Sequence, residues 1–266
     1  MTTWNSLRIS LVQHASGLEP DDNRELLAEL TPSDSDLVVF PEVFARDFGK
    51  PGSDLGPYAE SKDGPFGTEL ARVAGERGAT LVAGMLETSG DADGRPFNTL
   101  LVRGGAEAAY RKIHLYDSFG YKESDALVAG AIEPVVVDIP STSSGHRDGV
   151  PTGLMTCYDL RFPELARRLV DEGAELIVLP AAWVAGPRKV DHWRTLVRAR
   201  AIENTVFIAA AAQSAPRYCG HSMIVDPLGD VLVEAGDGDE VVSATIDRAV
   251  LEEARRTNPS LVNRRM

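Results

Sequence analysis

Cysteine is scarce in this chain: two occur in 266 residues, Cys157 and Cys219, 62 positions apart. That spacing suits neither a zinc-ligand pair nor a CxxC redox couple. A lone disulfide is not expected in a chain of this size without an export signal, which leaves room for a chemically active thiol. Positive charge is also in deficit, with 27 Lys+Arg against 40 Asp+Glu and a net charge of −13. Sequence-independent nucleic-acid binding and docking on anionic lipid both need clustered basic residues, so neither is expected. No apolar run approaches the roughly 20 residues that cross a bilayer. The opening MTTWNSLRISLVQ has no charged stretch leading into an apolar segment and a small-residue cleavage site. A cytoplasmic protein is the expectation. GxxxxGK[ST], GxGxxG and GxSxG are missing, and the five histidines form no HxxxH or HExxH pair. A P-loop, a dinucleotide site, an α/β-hydrolase and a zincin therefore lack motif support.

What is present is ordinary for a globular protein, 43% hydrophobic and 25% charged residues. A chain this long can bury about 70–75% of its unfolded surface, so its core needs no staples. Strand-like runs recur at 7–13, 36–40, 80–86, 99–103, 134–139, 153–156, 176–179, 205–211, 222–226, 231–234 and 241–246. Many are continuous Val/Ile/Leu/Ala stretches, which predicts strands covered on both faces. Helical spacing occupies 23–30, 68–78, 163–172, 191–204 and 248–257, with Gly78 as a terminator, Pro163 in a first turn and Asp191 as an N-cap. The stretch 191–204 runs through Trp193, Leu196, Val197 and Ile202. Alternating strands and helices imply an α/β fold. The hairpin-like NTLLVRGGAEAAYRK and SMIVDPLGDVLVEA imply mixed sheets. The polar stretch 141–149, STSSGHRDG, reads as an exposed loop, and no linker divides the chain, so a single domain over 1–266 is expected.

Cys157, in GLMTCYDLRFPEL, follows a buried-looking strand and precedes a helix. The thiol thus falls at the carboxyl end of a strand, where α/β proteins bind ligands. Core filling is the ordinary fate of a cysteine, and Cys219, in RYCGHS, fits that description better. A thiol needs a base to attack a carbonyl near neutral pH. His114 and His221 lie beside strand ends but in no recognisable motif. Glu42, in SDLVVFPEVF, ends an intensely apolar strand, where desolvation disfavours the charged carboxylate, the direction a general base requires. It could equally be an N-cap or surface glutamate. Lys112, in YRKIHL, also ends a strand-like run, where a solvated lysine is the competing reading.

Together VVFPE, FNTLLV, YRKIHL, CYDLRFPE, PAAW, GPRKVDHWRTLVRARAIEN, GHSMIVDPLGDVL and NPSLVNRR resemble the nitrilase (carbon–nitrogen hydrolase) superfamily over nearly the whole chain. The resemblance implies a nitrilase-like αββα sandwich of two mixed β-sheets flanked by helices. It also implies a catalytic set of Glu42, Lys112 and Cys157, with no metal or other cofactor. Cys157 would attack an amide carbon while Glu42 takes its proton. Lys112 and the backbone N–H of Tyr158 would hold the oxyanion, and Lys112 would also favour the thiolate. Glu123, in GYKESDALVAG, is similar to the additional glutamate that positions the substrate nitrogen, with an ordinary loop residue as the alternative. Arg161 matches an arginine that contacts a substrate carboxylate in carbamoyl-amino-acid hydrolases. Its fork suits a carboxylate, and a pair with Asp159 or Glu164 is the alternative. Trp183 lines the pocket wall or packs in the core. Phe44, Phe119, Tyr116 and Tyr158 could shape the pocket, and Pro187, Arg188 and Lys189 form a loop able to attract an anion.

The compact length looks most like the Nit-type or ω-amidase branch, hydrolysing a small linear amide. A nitrilase or N-carbamoyl-amino-acid amidohydrolase is the alternative, followed by an acyltransferase using the same thioester and, last, a non-catalytic scaffold. A homodimer or higher homo-oligomer is expected, with the tail NPSLVNRR reaching a neighbour.

Overall fold

The computed structural model describes residues 4–118, 120–141 and 149–265. Phe119 and residues 142–148, most of the anticipated loop, lie outside the described residues. In chain order the elements are β1 (Ser6–Gln13), α1 (Pro20–Leu30), β2 (Leu37–Val39), α2 (Pro65–Arg77), β3 (Thr80–Glu87), β4 (Phe97–Arg103) and β5 (Ala108–Arg111). A two-residue hairpin follows, β6 (Asp117–Ser118) and β7 (Tyr121–Lys122). Then come β8 (Val136–Pro140), β9 (Gly149–Leu154), α3 (Pro163–Asp171), β10 (Leu176–Ala181), α4 (Lys189–Asn204), β11 (Phe207–Ala212), β12 (Met223–Val225), β13 (Val231–Glu234), β14 (Glu240–Asp247), α5 (Arg248–Thr257) and α6 (Ser260–Asn263).

Two six-stranded sheets form, in the orders β14-β1-β2-β3-β4-β5 and β13-β12-β11-β10-β9-β8. Each has a parallel trio at its centre, β1-β2-β3 and β9-β10-β11, with antiparallel strands at both edges. The sheets are mixed, as the hairpin patterns predict. Alternate side chains explain the sandwich. Leu37 and Val39 of β2 join Leu7, Ile9, Val178 and Ile208 in the core between the sheets. Val38, with Phe40 just past the strand, turns the other way, onto Leu27 of α1 and Phe66, Leu70 and Val73 of α2. The second sheet is covered by Leu165 and Leu169 of α3 and by Trp193 and Val197 of α4. Both faces of the central strands are dry, which is why their sequences run apolar without alternation. No helix among the described residues is long and apolar enough to cross a membrane.

Some boundaries differ from the sequence reading. Helices α1 and α2 start three residues early because Pro20 and Pro65 occupy the first turn, where the missing N–H costs nothing. Helix α4 begins at Lys189, so Asp191 lies inside the first turn and not at the cap, and its charge favours the helix N-terminus. Of the apolar residues along this helix, Trp193 and Val197 are buried and Ile202 is 42% exposed. Strand β9 stops at Leu154, two residues sooner than expected. The C-terminal segment lies against its own chain, where Arg264 pairs with Asp171 of α3 through two contacts of 2.8 and 3.1 Å.

Candidate active site

Glu42 leaves the carboxyl end of β2 through Pro41, and the next residue, Val43, is in the left-handed region at φ 48°. The turn crosses β3 at Gly84, where a Cβ would stand 2.2 Å from the Val43 nitrogen. Only glycine permits that approach. Lys112 follows β5 and stays tied to β4 by its backbone N–H, which donates to the Asn98 carbonyl at 2.8 Å. Cys157 opens a short 3-10 turn, Cys157–Arg161, with φ 46°. A non-glycine residue held there stores about 1–3 kcal/mol of backbone strain, a cost that clusters at functional sites. Glu123 heads another 3-10 turn behind the β6–β7 hairpin.

The structure brings these four side chains together. Lys112 Nζ lies 3.0 Å from Glu42 Oε1 and 3.0 and 2.9 Å from the two Glu123 oxygens. The Cys157 thiol lies close enough for the charges of Glu42, Lys112 and Glu123 to act on it. The carboxylate of Glu42 is held further by Asn98 Nδ2 on Oε1 at 2.7 Å and by the Ala182 N–H on Oε2 at 2.7 Å. Glu123 Oε2 also accepts the Tyr116 N–H at 2.5 Å. Glu42, Lys112 and Glu123 are buried, whereas Cys157 keeps 8% of its surface accessible. Asn98 was not singled out in the sequence. A polar side chain inside the apolar run FNTLLV was the available signal.

Burial works against the Lys112 ammonium, but Glu123 and Glu42 outweigh it and hold its pKa well above the ordinary lysine value. Burial, helped by the Glu42 charge, raises Glu123 against the opposing pull of Lys112. The Cys157 thiol is pushed well up, by burial first and then by Glu42, with Lys112 pulling the other way. Lys112 favours the thiolate as expected, and burial together with Glu42 pushes the other way.

The remaining candidates divide. His114 Nδ1 is bonded to Asp159 Oδ1 at 2.7 Å, and His221 lies between Glu234 at 3.1 Å and Asp237 at 2.9 Å. Arg161 takes neither anticipated acid: Asp159 is bonded to Tyr110, His114 and Thr156, and no Arg161–Glu164 pair occurs among the described residues. The buried Nε and Nη2 of Arg161 lack hydrogen-bond partners, and its guanidinium sits 4.9 Å from the Trp183 ring centroid. Trp183 packs in the core, the second of its two expected readings. It is nearly buried against Trp193, at 5.5 Å between centroids, and its ring also meets Arg161 and Lys189. Tyr158 stacks edge-on between Tyr116 and Phe162. Lys189 donates to the Tyr116 hydroxyl at 3.3 Å, and burial, with Arg161, lowers its pKa. Phe44 lies in the core outside the first sheet, against Phe40, rather than in a pocket.

Cys219 is buried behind Trp183, to whose carbonyl its N–H donates, and burial pushes its thiol up to about 12. Cys157, Tyr110 and Tyr218 are raised as well, each chiefly by burial. Above about pH 9, the ordinary cysteine value used for Cys219, the folded protein keeps protons that the unfolded chain releases. Stability is therefore expected to fall as pH rises, by up to about 1.4 kcal/mol per pH unit for each such group. Urea midpoints between pH 8 and 11 read this slope, and Cys219→Ala should make it shallower. A midpoint that climbs with pH would contradict it.

The carbon–nitrogen hydrolase family model matches residues 8–256. A hydrolase of Mycobacterium tuberculosis is 39% identical over 264 residues, covering 91% of this chain and 89% of the relative. The deaminated glutathione amidase of Escherichia coli O157:H7 is 36% identical over 244 residues, covering 90% and 88%. Among solved structures, XC1258 of Xanthomonas campestris, a CN-hydrolase superfamily protein with an arsenic adduct in its active site, superposes with a TM-score of 0.84 at 31% identity. That match covers 99% of this chain and 98% of the other. With both sheets and the buried Glu–Lys–Cys cluster in place, the chain belongs to the carbon–nitrogen hydrolase family.

Proposed function

We propose that the protein hydrolyses the C–N bond of a small linear amide through a thioester on Cys157. The observation that carries this reading is the buried convergence of carboxylate, ammonium and thiol: Glu42 is bonded to the Lys112 ammonium at 3.0 Å, and both charges act on the Cys157 thiol. Sulfur attacks the amide carbon as its proton passes to Glu42, giving a tetrahedral oxyanion. The Lys112 charge and the Tyr158 N–H stabilise that oxygen; removing one such donor typically costs about 10²–10³ in rate. Glu42 then protonates the departing nitrogen, the C–N bond breaks, and ammonia or an amine leaves. Water, deprotonated by Glu42, cleaves the thioester, and the proton returns to sulfur. Glu123 anchors Lys112 and faces the leaving nitrogen.

Arg161 extends the reading to a substrate carrying a carboxylate. Two buried guanidinium donors without partners cost about 1–3 kcal/mol each, and an anionic substrate group would satisfy them. The relative named for deaminated glutathione supports an amide of this charged kind. Ammonia release from amides, carbamoyl amino acids and nitriles tests the assignment. With a carboxylate-bearing amide, Arg161→Gln should lower kcat/KM about 10–100-fold, while a neutral amide of equal length changes little. Equal losses on both would remove Arg161 from recognition, and absence of ammonia from every amide would sink the hydrolase reading.

The same reading places the enzyme in the cytoplasm as a homodimer. Ile202 of α4 and Leu228 of the β12–β13 turn, brought together at Gly229, stay exposed and support such pairing. Light scattering measures the assembly.

A further inference from the structure

Asp159 has no solvent-exposed surface and accepts four hydrogen bonds. Its Oδ2 takes the Tyr110 hydroxyl at 2.6 Å and the Thr156 N–H at 2.9 Å. Its Oδ1 takes the backbone N–H of His114 at 3.2 Å and the ring Nδ1–H at 2.7 Å. The His114 ring lies flat on Phe162, at 3.9 Å between centroids and 8° between planes. The spacing of these partners is the informative feature. Tyr110 stands two residues before Lys112 and His114 two after it, while Asp159 stands two after Cys157.

A cap for the 3-10 turn needs only the Thr156 N–H. The other three donors come from the segment around Lys112, so the carboxylate joins two stretches of chain that share no strand pairing. Lys112 follows directly on β5 of the first sheet, and Cys157 comes just after β9 of the second. A buried carboxylate is tolerated only when fully bonded, and losing any donor is costly, so the geometry is held tightly. We infer that Asp159 is a positioning residue: its carboxylate clamps both flanks of Lys112 to the turn carrying Cys157, fixing how ammonium and thiol meet. Among the described residues it is bonded to neither side chain, and it acts through the backbone that carries them.

This inference rests on the proposed roles of Lys112 and Cys157. Misplacing a reacting group by about 1 Å can cost about 100-fold in rate, which sets the scale. Asp159→Asn should lower kcat by about that factor, with KM held within about threefold. Tyr110→Phe and His114→Ala, each removing one donor, should lower kcat about tenfold and slow iodoacetamide alkylation of Cys157 in parallel. His114→Asn supplies an amide N–H near the lost Nδ1 and should recover kcat to within about threefold of the parent. A purely structural role would lower Tm in these variants while kcat per folded enzyme, the alkylation rate and the asparagine rescue showed no such pattern; that result overturns the inference. If Asp159→Asn does not fold, the two donor variants decide. Cys157→Ala separates the two levels. Turnover surviving that change defeats the hydrolase reading itself. Its loss, with parental kcat in Tyr110→Phe and His114→Ala, defeats the clamp alone.

Discussion

Lys112→Ala is expected to reduce amide turnover by about 10³-fold or more and, at the same time, to destabilise the fold. The catalytic loss follows from removing a charge beside the developing oxyanion, where a single donor already contributes about 10²–10³. The stability loss follows from what remains. Glu42 and Glu123 share this ammonium in the dark between the sheets, at 3.0 and 2.9 Å. Breaking a buried pair by deleting one partner costs about 3–5 kcal/mol, because a charge is left without compensation. The variant should therefore regain stability in acid. Burial already raises Glu123, and Lys112 is the group that lowers it, so in the variant the folded state binds a proton that the unfolded chain releases at ordinary glutamate pH. Protons bound in the folded state then exceed those in the unfolded state, and stability falls as pH rises. Thermal melts of the variant at pH 5 and pH 8 check the sign. Parental kcat in this variant would remove the ammonium from the mechanism, whatever the melts show.

Glu42→Gln is expected to lower kcat by about 10²–10⁴-fold, the range a general base supplies, with a much smaller effect on the fold than Lys112→Ala. Glutamine keeps the shape of the side chain and one carbonyl oxygen for Asn98 and Lys112, while its NH₂ faces the Ala182 N–H that now donates to Oε2. What it loses is the capacity to take the thiol proton, while burial, the largest influence holding that proton on sulfur, remains. Single-turnover measurement should show no rapid release of the amine product. A pre-steady-state burst of normal size would place the proton acceptor elsewhere.

The architecture was legible because its central strands are dry on both faces. Runs such as LVVF read as strands without alternation, and the inward Leu37 and Val39 against the outward Val38 and Phe40 account for the pattern. Boundaries were less legible where a rule beyond periodicity decided them. Proline started α1 and α2 ahead of their apolar stripes, and a two-residue hairpin such as β6–β7 has no periodicity to read. Within the site, Glu42, Lys112 and Cys157 could be found because each terminates an apolar run in a distinctive motif. Asn98, Tyr110 and Asp159 could not be assigned roles, because those depend on partners distant in sequence. Asn98 meets Glu42 across 56 residues, and Tyr110 meets Asp159 across 49. The sequence likewise placed a cation beside sulfur but could not weigh it against burial.

Glu42 and Lys112 hang from one sheet, whereas Cys157 and the Ala182 N–H that braces Glu42 hang from the other. Activity is consequently a gauge of shear between the two layers. A small slide of one sheet over the other would leave helices and strands intact while pulling acid and sulfur out of register. Solvent or temperature stress that loosens this apolar seam should silence the enzyme before circular dichroism registers any change.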